Sequence, residues 1–556
     1  MGSVRDSESA QRGVPQREPT SRAPSTKRDE VLEEKGIEHP EPVRVGIPDA
    51  RCQPNRLSGC QTLVMRAALA VLALTIAASQ AQGQRFDDAR QLIRASMARD
   101  SLPGLAISVS RGDSILWEEG FGWADAEARL PALPTTPFAL ASLTKAIVAT
   151  AVMRLRERGS MNLDRAANDY LATKLWSPAW DVSAATVRRL ASHTAGLSTF
   201  DVWCPDASCR VPSSDEIIRD YAAVVSPPGE RIDYSNIGYF VLGEVMARAS
   251  GRDLAAVLAD EVFRPLGMIS SSLGVDEARA AQTAVSYGWV RGRVPLETRA
   301  TRRTPLSGAS SGYASAHDLV VFGRMQAKVH QRGSKALLSS AAIDTMQTPA
   351  IPGSGTRYAM GWSVEPDRFG YRSLLAQGGT DAAAAWLRIV PSEQIVVAVV
   401  ANKGVGFPRE VIDAVIGALL PRYAEARKSA PASAASPTAP VPVRLDSAVT
   451  GAWSGTARVG ATTSPIEFVV GETGDVRARL GVRPDTAIGK ARMNGVRLRI
   501  AVPGDLNTSD SSRVGQVVFY IRPHAGALVG HVTTGPPPET RLFGSVTWFV
   551  EVRRKR

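Results

Sequence analysis

Apolar and polar positions alternate along this chain in ways that mark out five stretches. Over residues 86–97 the apolar spacing is that of a helix. After the turn at Pro103-Gly104, the run Leu105-Ala106-Ile107-Ser108-Val109 predicts a strand. Arg111-Gly112-Asp113-Ser114 is a polar turn into a second strand that ends near Gly120-Phe121-Gly122, so the pair forms a hairpin. Its Arg-Gly-Asp triplet is turn chemistry. Helical periodicity then recurs over 146–158, 214–223, 237–249, 253–263, 317–329 and 339–347. Strand character returns over 358–362, 373–376, 384–390 and 395–401, and a helix over 409–428 closes the unit. A hairpin, a helical insertion and a strand meander with a packed terminal helix predict one α/β domain over 86–428, an antiparallel sheet flanked by helices. An Ala-Pro-Ser linker covers 429–444. Beyond it, short alternating strands at 466–470, 476–480, 496–500, 517–521, 528–532 and 546–552 predict a small all-β domain over 445–556, a lipocalin-like barrel or a sandwich.

The front of the chain differs. Residues 1–64 are rich in Pro, Ser, Arg and Glu and lack apolar periodicity, which predicts a disordered extension. Met65-Arg66, the apolar run over 67–78 and Ser79-Gln80-Ala81 have the layout of a secretory signal peptide over 65–81. That run is too short to span a bilayer comfortably, so an exported protein, periplasmic or secreted, with no stable membrane span after processing is expected. On this reading Met65 is the start and residues 1–64 come from an upstream start. Of the four cysteines, Cys52 and Cys60 lie in that extension. Cys204 and Cys209 flank a polar loop, and export favours a disulfide there over a metal site, since no further ligands lie nearby.

Hydrophobic residues at 44% and charged residues at 22% are globular values. The formal net charge of +12 is scattered rather than striped, which argues against nucleic acid as a partner. No cofactor motif and no His-Glu-x-x-His cluster is present, so neither cofactor nor metal is expected.

Two short elements carry chemistry. Ser142-Leu143-Thr144-Lys145 at a helix start puts a hydroxyl and an amine on one face, a turn apart, near the positive end of the helix dipole. A lysine kept out of water or near other cations can be neutral and activate that serine. Tyr234-Ser235-Asn236 leads into another helix, where the phenol can shuttle a proton and the amide can orient a lysine or substrate. The plainer reading of the second element is an asparagine helix cap.

Together these elements resemble the serine β-lactamase and penicillin-binding-protein group, most closely its class C β-lactamase and family VIII esterase branch. Leu190-Ala191-Ser192-His193-Thr194-Ala195-Gly196-Leu197, Arg264-Pro265-Leu266-Gly267-Met268 and Ser315-Ala316-His317-Asp318-Leu319 resemble that group's recurring segments. The resemblance implies a β-lactamase/transpeptidase-like fold, Ser142 as acylated nucleophile, Lys145 and Tyr234 as acid and base, and Asn236 as a ligand of substrate and lysine. Which of Lys145 and Tyr234 is the base stays open.

The group's third motif is Lys or His, a small residue, then Gly. Here the matching place reads Ala376-Gln377-Gly378-Gly379-Thr380. We favour Gln377 at the cationic position, with Gly379 as the motif glycine; the neighbouring register would put Ala376 there. In the favoured register the oxyanion hole comprises the Ser142 and Thr380 backbone N–H groups. Either register lacks the cation that would pair a substrate carboxylate, which weakens β-lactam handling more than that of neutral esters or amides. Arg372 is no substitute, because strand alternation puts it on the face opposite Gln377.

Other serines and histidines fit less well. Gly308-Ala309-Ser310-Ser311-Gly312 matches a hydrolase elbow but is preceded by Arg302-Arg303-Thr304-Pro305 rather than an apolar strand. His193 and His317 read as structural hydrogen-bonding residues, and Trp453 as a core residue of the β domain. The expected activity is that of an exported serine hydrolase on a small ester, amide or peptide-like substrate. The alternative is a penicillin-binding or sensing protein that retains the pocket without turnover.

Overall fold

The computed structural model describes residues 85–555 apart from 198–200, 204–209, 276, 291–293, 299–306, 330–335, 354–356, 405–408, 431–443, 482–485, 505, 507–514 and 535–542. The expected extension, signal peptide, most of the linker and the cysteine pair Cys204 and Cys209 lie outside the described residues.

Helix α1 (Asp87–Asp100) leads into strands β1 (Gly104–Arg111) and β2 (Ser114–Asp125), the expected hairpin, with the short β3 (Leu130–Pro131) beside them. Helix α2 (Thr144–Glu157) follows, then the helical insertion that includes α3 (Asn236–Ser250) and α4 (Ala316–Gln326). The chain returns through β4 (Ser363–Arg368), β5 (Tyr371–Thr380), β6 (Ala383–Val390) and β7 (Ile395–Ala401). These strands form one antiparallel sheet in the order β4-β5-β6-β7-β1-β2-β3. β7 is buried along its whole length, as its unbroken apolar run requires.

The sheet has helices on both faces. Ile107, Val397 and Val399 pack with α1 and with α5 (Arg409–Leu419) on one side. Ala106, Leu387 and Val400 pack with α2 and α4 on the other. α2 carries Ile147, Val148, Val152 and Met153 with essentially no exposure, so it is a central helix and not a surface one.

Two expectations need correction. Residues 358–362 form no strand; only an isolated Tyr358–Ser363 bridge occurs there, and strand structure begins at Ser363. Gly361 has φ +81° and sits where a Cβ would lie 2.8 Å from the Ala146 Cα, so this segment turns against α2 instead of extending. The single helix expected over 409–428 is two, α5 and α6 (Pro421–Ser429). Leu420 is extended (φ −130°, ψ 94°) because the proline after it excludes the helical conformation.

The C-terminal strands are β8 (Gly451–Val459), β9 (Thr462–Val470), β10 (Asp475–Leu480), β11 (Ala487–Asn494), β12 (Arg497–Gly504), β13 (Gly515–His524), β14 (Ala527–Thr534) and β15 (Phe543–Arg554). Each pairs antiparallel with the next, and β8 pairs with β15 from Trp453–Arg554 to Arg458–Phe549. That pairing closes an up-and-down barrel and decides against a sandwich. Phe468, Phe519, Val532 and Trp548 fill its interior. No helix among the described residues is long and apolar enough to cross a membrane.

Candidate active site

Ser142 lies in a single 3₁₀ turn, Ala141–Leu143, that runs directly into α2. Ala141 has φ +46°, a strained value for a residue with a Cβ. Neighbouring bonds hold it: Thr144 Oγ1 donates to the Ala141 carbonyl at 2.7 Å and accepts from Gly312 N at 2.9 Å, and Leu140 N donates to the Gly312 carbonyl at 2.8 Å.

One turn along α2, the Lys145 side chain is 1% exposed. Its Nζ lies 2.9 Å from Ser142 Oγ, 2.8 Å from Asn236 Oδ1 and 3.0 Å from the Ala309 carbonyl oxygen. The structure therefore brings together three of the expected residues from segments far apart in sequence. It also adds Ala309, which lies in the short helix Ser307–Ser310 within the rejected elbow motif. A main-chain carbonyl leaves no side-chain signature, so nothing in the sequence pointed to it.

Asn236 is free to face the lysine because Ser235 caps α3: its hydroxyl accepts from Gly238 N at 2.9 Å. The plainer cap reading thus belongs to Ser235. Tyr234 is half exposed and lays its ring 4.8 Å from Lys145 Nζ, a cation–π distance. Its ring also packs 4.3 Å from that of His193, and Tyr358 packs 4.7 Å from His193.

His193 is the organiser of this aromatic nest. Its backbone is left-handed (φ 59°), and its carbonyl accepts from Asp233 N at 2.8 Å. Its Nδ1 accepts from Ser235 N at 3.1 Å, which fixes the other nitrogen as the protonated one. Burial, with help from the Lys145 charge, pushes its pKa well below the usual histidine range, so the ring is neutral. His317, the other histidine in a recurring segment, places Nδ1 2.9 Å from Glu118 Oε1. That carboxylate raises its pKa against an opposing effect of burial.

Strand β5 forms the far wall. A Cβ on Gly378 would lie 2.0 Å from the Leu140 carbonyl oxygen and 2.7 Å from Ser142 N. The strand therefore runs against the turn that carries Ser142, an approach that only glycine permits. Gly379 has no atom within 4 Å of its would-be Cβ. Ala376 is buried on the same face as Gly378, whereas Gln377 and Gly379 are exposed. Arg372 is tied up elsewhere, donating to Gln347 Oε1 at 3.2 Å and to its carbonyl at 3.0 Å.

These residues surround a cavity of about 820 Å³ lined by Ser142, Tyr234, Tyr358, Ala376, Gln377 and Thr380 among others. Asp381 is the only charged side chain in that lining among the described residues.

The family model described as Beta-lactamase matches residues 89–420. The chain belongs to that family. Protein flp of Staphylococcus aureus (strain COL) is 22% identical over 318 residues, which cover 56% of this chain and 62% of that protein. The chain thus spans less than two thirds of that relative's length. Unguisins hydrolase ungD′ of Aspergillus campestris is 24% identical over 352 residues, 59% of this chain and 64% of the fungal protein. Among solved structures, SurE matches at a TM-score of 0.58 with 22% identity, over 85% of this chain and 100% of SurE. The octameric penicillin-binding protein homologue from Pyrococcus abyssi matches at 0.51 with 22% identity, over 84% and 99%. At these identities the structural matches establish the β-lactamase/transpeptidase fold. The family is one of serine hydrolases.

Proposed function

We propose that the chain is an exported serine hydrolase that works through an acyl-enzyme on Ser142, with Lys145 and Tyr234 exchanging the proton. The observation that carries this is the environment of Lys145 Nζ. Two of its hydrogen-bond neighbours, Asn236 Oδ1 and the Ala309 carbonyl, can only accept hydrogen bonds. A neutral amine has two N–H groups, which those acceptors use, and its lone pair is then left pointing at the Ser142 hydroxyl. In that state Ser142 O–H donates to Nζ. Attack of Oγ on a substrate carbonyl passes the proton to the amine. The tetrahedral intermediate collapses as the leaving group takes a proton by way of Lys145 or Tyr234. Water, deprotonated by the same groups, then releases the acid.

Packing supports a different register for the third motif. The motif's glycine is best explained by the close approach that excludes a side chain, and Gly378 makes that approach while Gly379 does not. This moves the register one residue from the sequence expectation. Ala376 takes the cationic position, Gln377 the small one, and the oxyanion donors become the Ser142 and Gly379 N–H groups rather than those of Ser142 and Thr380. The Ala376 side chain has neither charge nor hydrogen-bonding group, and among the described residues no cation lines the cavity. Neutral esters and amides therefore suit it better than β-lactams. The apolar segment after Met65 supports export.

Labelling with a fluorophosphonate and with a fluorescent penicillin, alongside nitrophenyl-ester turnover, tests the reading. Wild type should label and turn over steadily, and Ser142→Ala should do neither. A slow, stable adduct without turnover would favour the sensing alternative, and unchanged turnover by Ser142→Ala would move the nucleophile elsewhere.

A further inference from the structure

The segment that delivers Tyr234 and Asn236 has no regular structure between Gly229 and Ser235. On its inner side it is held by His193 and by the Gly229 N to Thr194 O bond of 2.7 Å. On its outer side it meets the barrel. Arg497, the first residue of β12, donates through Nη2 to Asp233 Oδ1 at 3.2 Å and through Nη1 to Asp233 Oδ2 at 3.4 Å. Both side chains are largely buried, at 6% and 16% exposure. The guanidinium lies 5.0 Å over the Tyr520 ring of β13. Arg231 donates to the same Asp233 carboxylate at 2.9 Å, and Arg522 of β13 donates to Glu230 Oε1 at 2.7 Å.

Other barrel contacts reach Trp176, Trp180 and the chain over 201–225. Asp201–Trp203 pairs with the start of β15, Gly460 N donates to the Asp220 carbonyl at 2.9 Å, and Val529 and Phe549 pack with Ala223 and Val225. Among the described residues, none that lines the cavity belongs to the barrel. The barrel contacts of Arg497 and Arg522 grip the outer side of the segment. A buried arginine–carboxylate pair contributes little net stability, because desolvation offsets the attraction; its better-attested use is to fix one register.

We propose that Arg497 is a positioning residue for Tyr234 and Asn236, acting through Asp233, so that the barrel is a working part of the active site. This rests on the reading of Ser142, Lys145 and Tyr234 given above. The pair clamps the residue next to Tyr234, and loss of the clamp lets the phenol and the amide drift from Lys145 while Ser142 and its turn stay in place. Small displacements of reacting groups cost far more in rate than in binding.

The test uses the full chain with Arg497→Gln, Arg497→Lys, Asp233→Asn, the double variant Arg497→Gln/Asp233→Asn, and Lys490→Gln as a barrel control that touches Asp475 only on the exposed rim. Ester turnover, fluorophosphonate stoichiometry and the pH profile are read for each. We expect kcat to fall roughly tenfold in Arg497→Gln, with KM within twofold, full labelling stoichiometry and a shifted pH profile. Arg497→Lys should recover part of the loss, and the double variant should be no worse than the poorer single one. Unchanged kcat in Arg497→Gln, single losses that multiply in the double variant, or a fall in labelling stoichiometry matching the fall in rate would each overturn the proposal. If wild type neither labels nor turns over, the reading of Ser142 falls and this proposal falls with it; if wild type works and only the Arg497 result fails, that reading stands.

Discussion

At the scale of single residues, the proposed register of the third motif turns on alanine at 376, where the resemblance implies Lys or His. Ala376 lines the cavity on the face that also carries Gly378 against Ser142, so a long cationic side chain there would extend towards the nucleophile. Gln377 also lines the cavity but lies on the face of β5 opposite Gly378. Ala376→Lys should therefore improve kcat/KM for a carboxylate-bearing ester over its neutral counterpart by about tenfold, the worth of a charge-assisted contact. Gln377→Lys should change the ratio by less. Equal effects, measured on the matched ester pair, would return the cationic position to Gln377. Ser142, Lys145, Tyr234 and Asn236 were legible because each motif is short and its spacing is dictated by a helix turn or a helix start. Which of Gly378 and Gly379 meets the Ser142 turn was not, because two adjacent glycines look alike until one of them meets a backbone. Tyr358 was hidden for a related reason: its aromatic neighbours are His193 and Tyr239, brought together only by folding.

Between elements, the contact that matters is β5 against the turn before α2. A methyl group on Gly378 must push either the strand or the Ser142 turn, since both partners are backbone. Gly378→Ala should abolish ester turnover and lower stability by about 1–3 kcal/mol, the usual cost of overpacking. Gly379→Ala, with open space at its Cβ, should fold as wild type does; comparing urea midpoints and turnover of the two variants checks this. Most strands and helices were legible from periodicity alone. Ala487–Asn494 escaped because its polar and small residues leave a single buried position, so no alternation is written into it. Leu420 broke a helix that apolar spacing ran straight through, since periodicity ignores the backbone preference of the residue before proline.

For the whole molecule, the junction of barrel and hydrolase domain buries a titratable group. His531 on β14 is buried, and its ring packs at a tilt 5.4 Å from that of Tyr520, beside Arg497. Burial first, then the Arg497 charge, lowers its pKa to about 4, while Asp233 pulls the other way. The unfolded chain binds this proton near pH 6.5 and the native one does not, so stability falls as the pH drops from about 6.5 towards 4. The size of that loss is about 2–3 kcal/mol at pH 4.5. His531→Phe should flatten this part of the profile, read as the difference between urea midpoints at pH 7 and pH 4.5; an unchanged slope would mean that the histidine is solvated in solution. The hydrolase region and an all-β region after it were legible in the sequence, but barrel against sandwich was not. The decision lies in one pairing between the first and last strands of the run, whose partners carry no local mark of each other.

That seam has a consequence for how the protein comes into being. β15 is the final strand of the eight to leave the ribosome, and until it arrives β8 and β14 have no partner along those edges. Its first residues also supply the ladder for Asp201–Trp203. Nascent molecules thus carry open barrel edges from the synthesis of β8, which begins at Gly451, until β15 is complete, and a premature stop just before Phe543 would leave them so for good. Such truncated products should be conspicuous as aggregates and proteolytic fragments rather than as a smaller soluble enzyme.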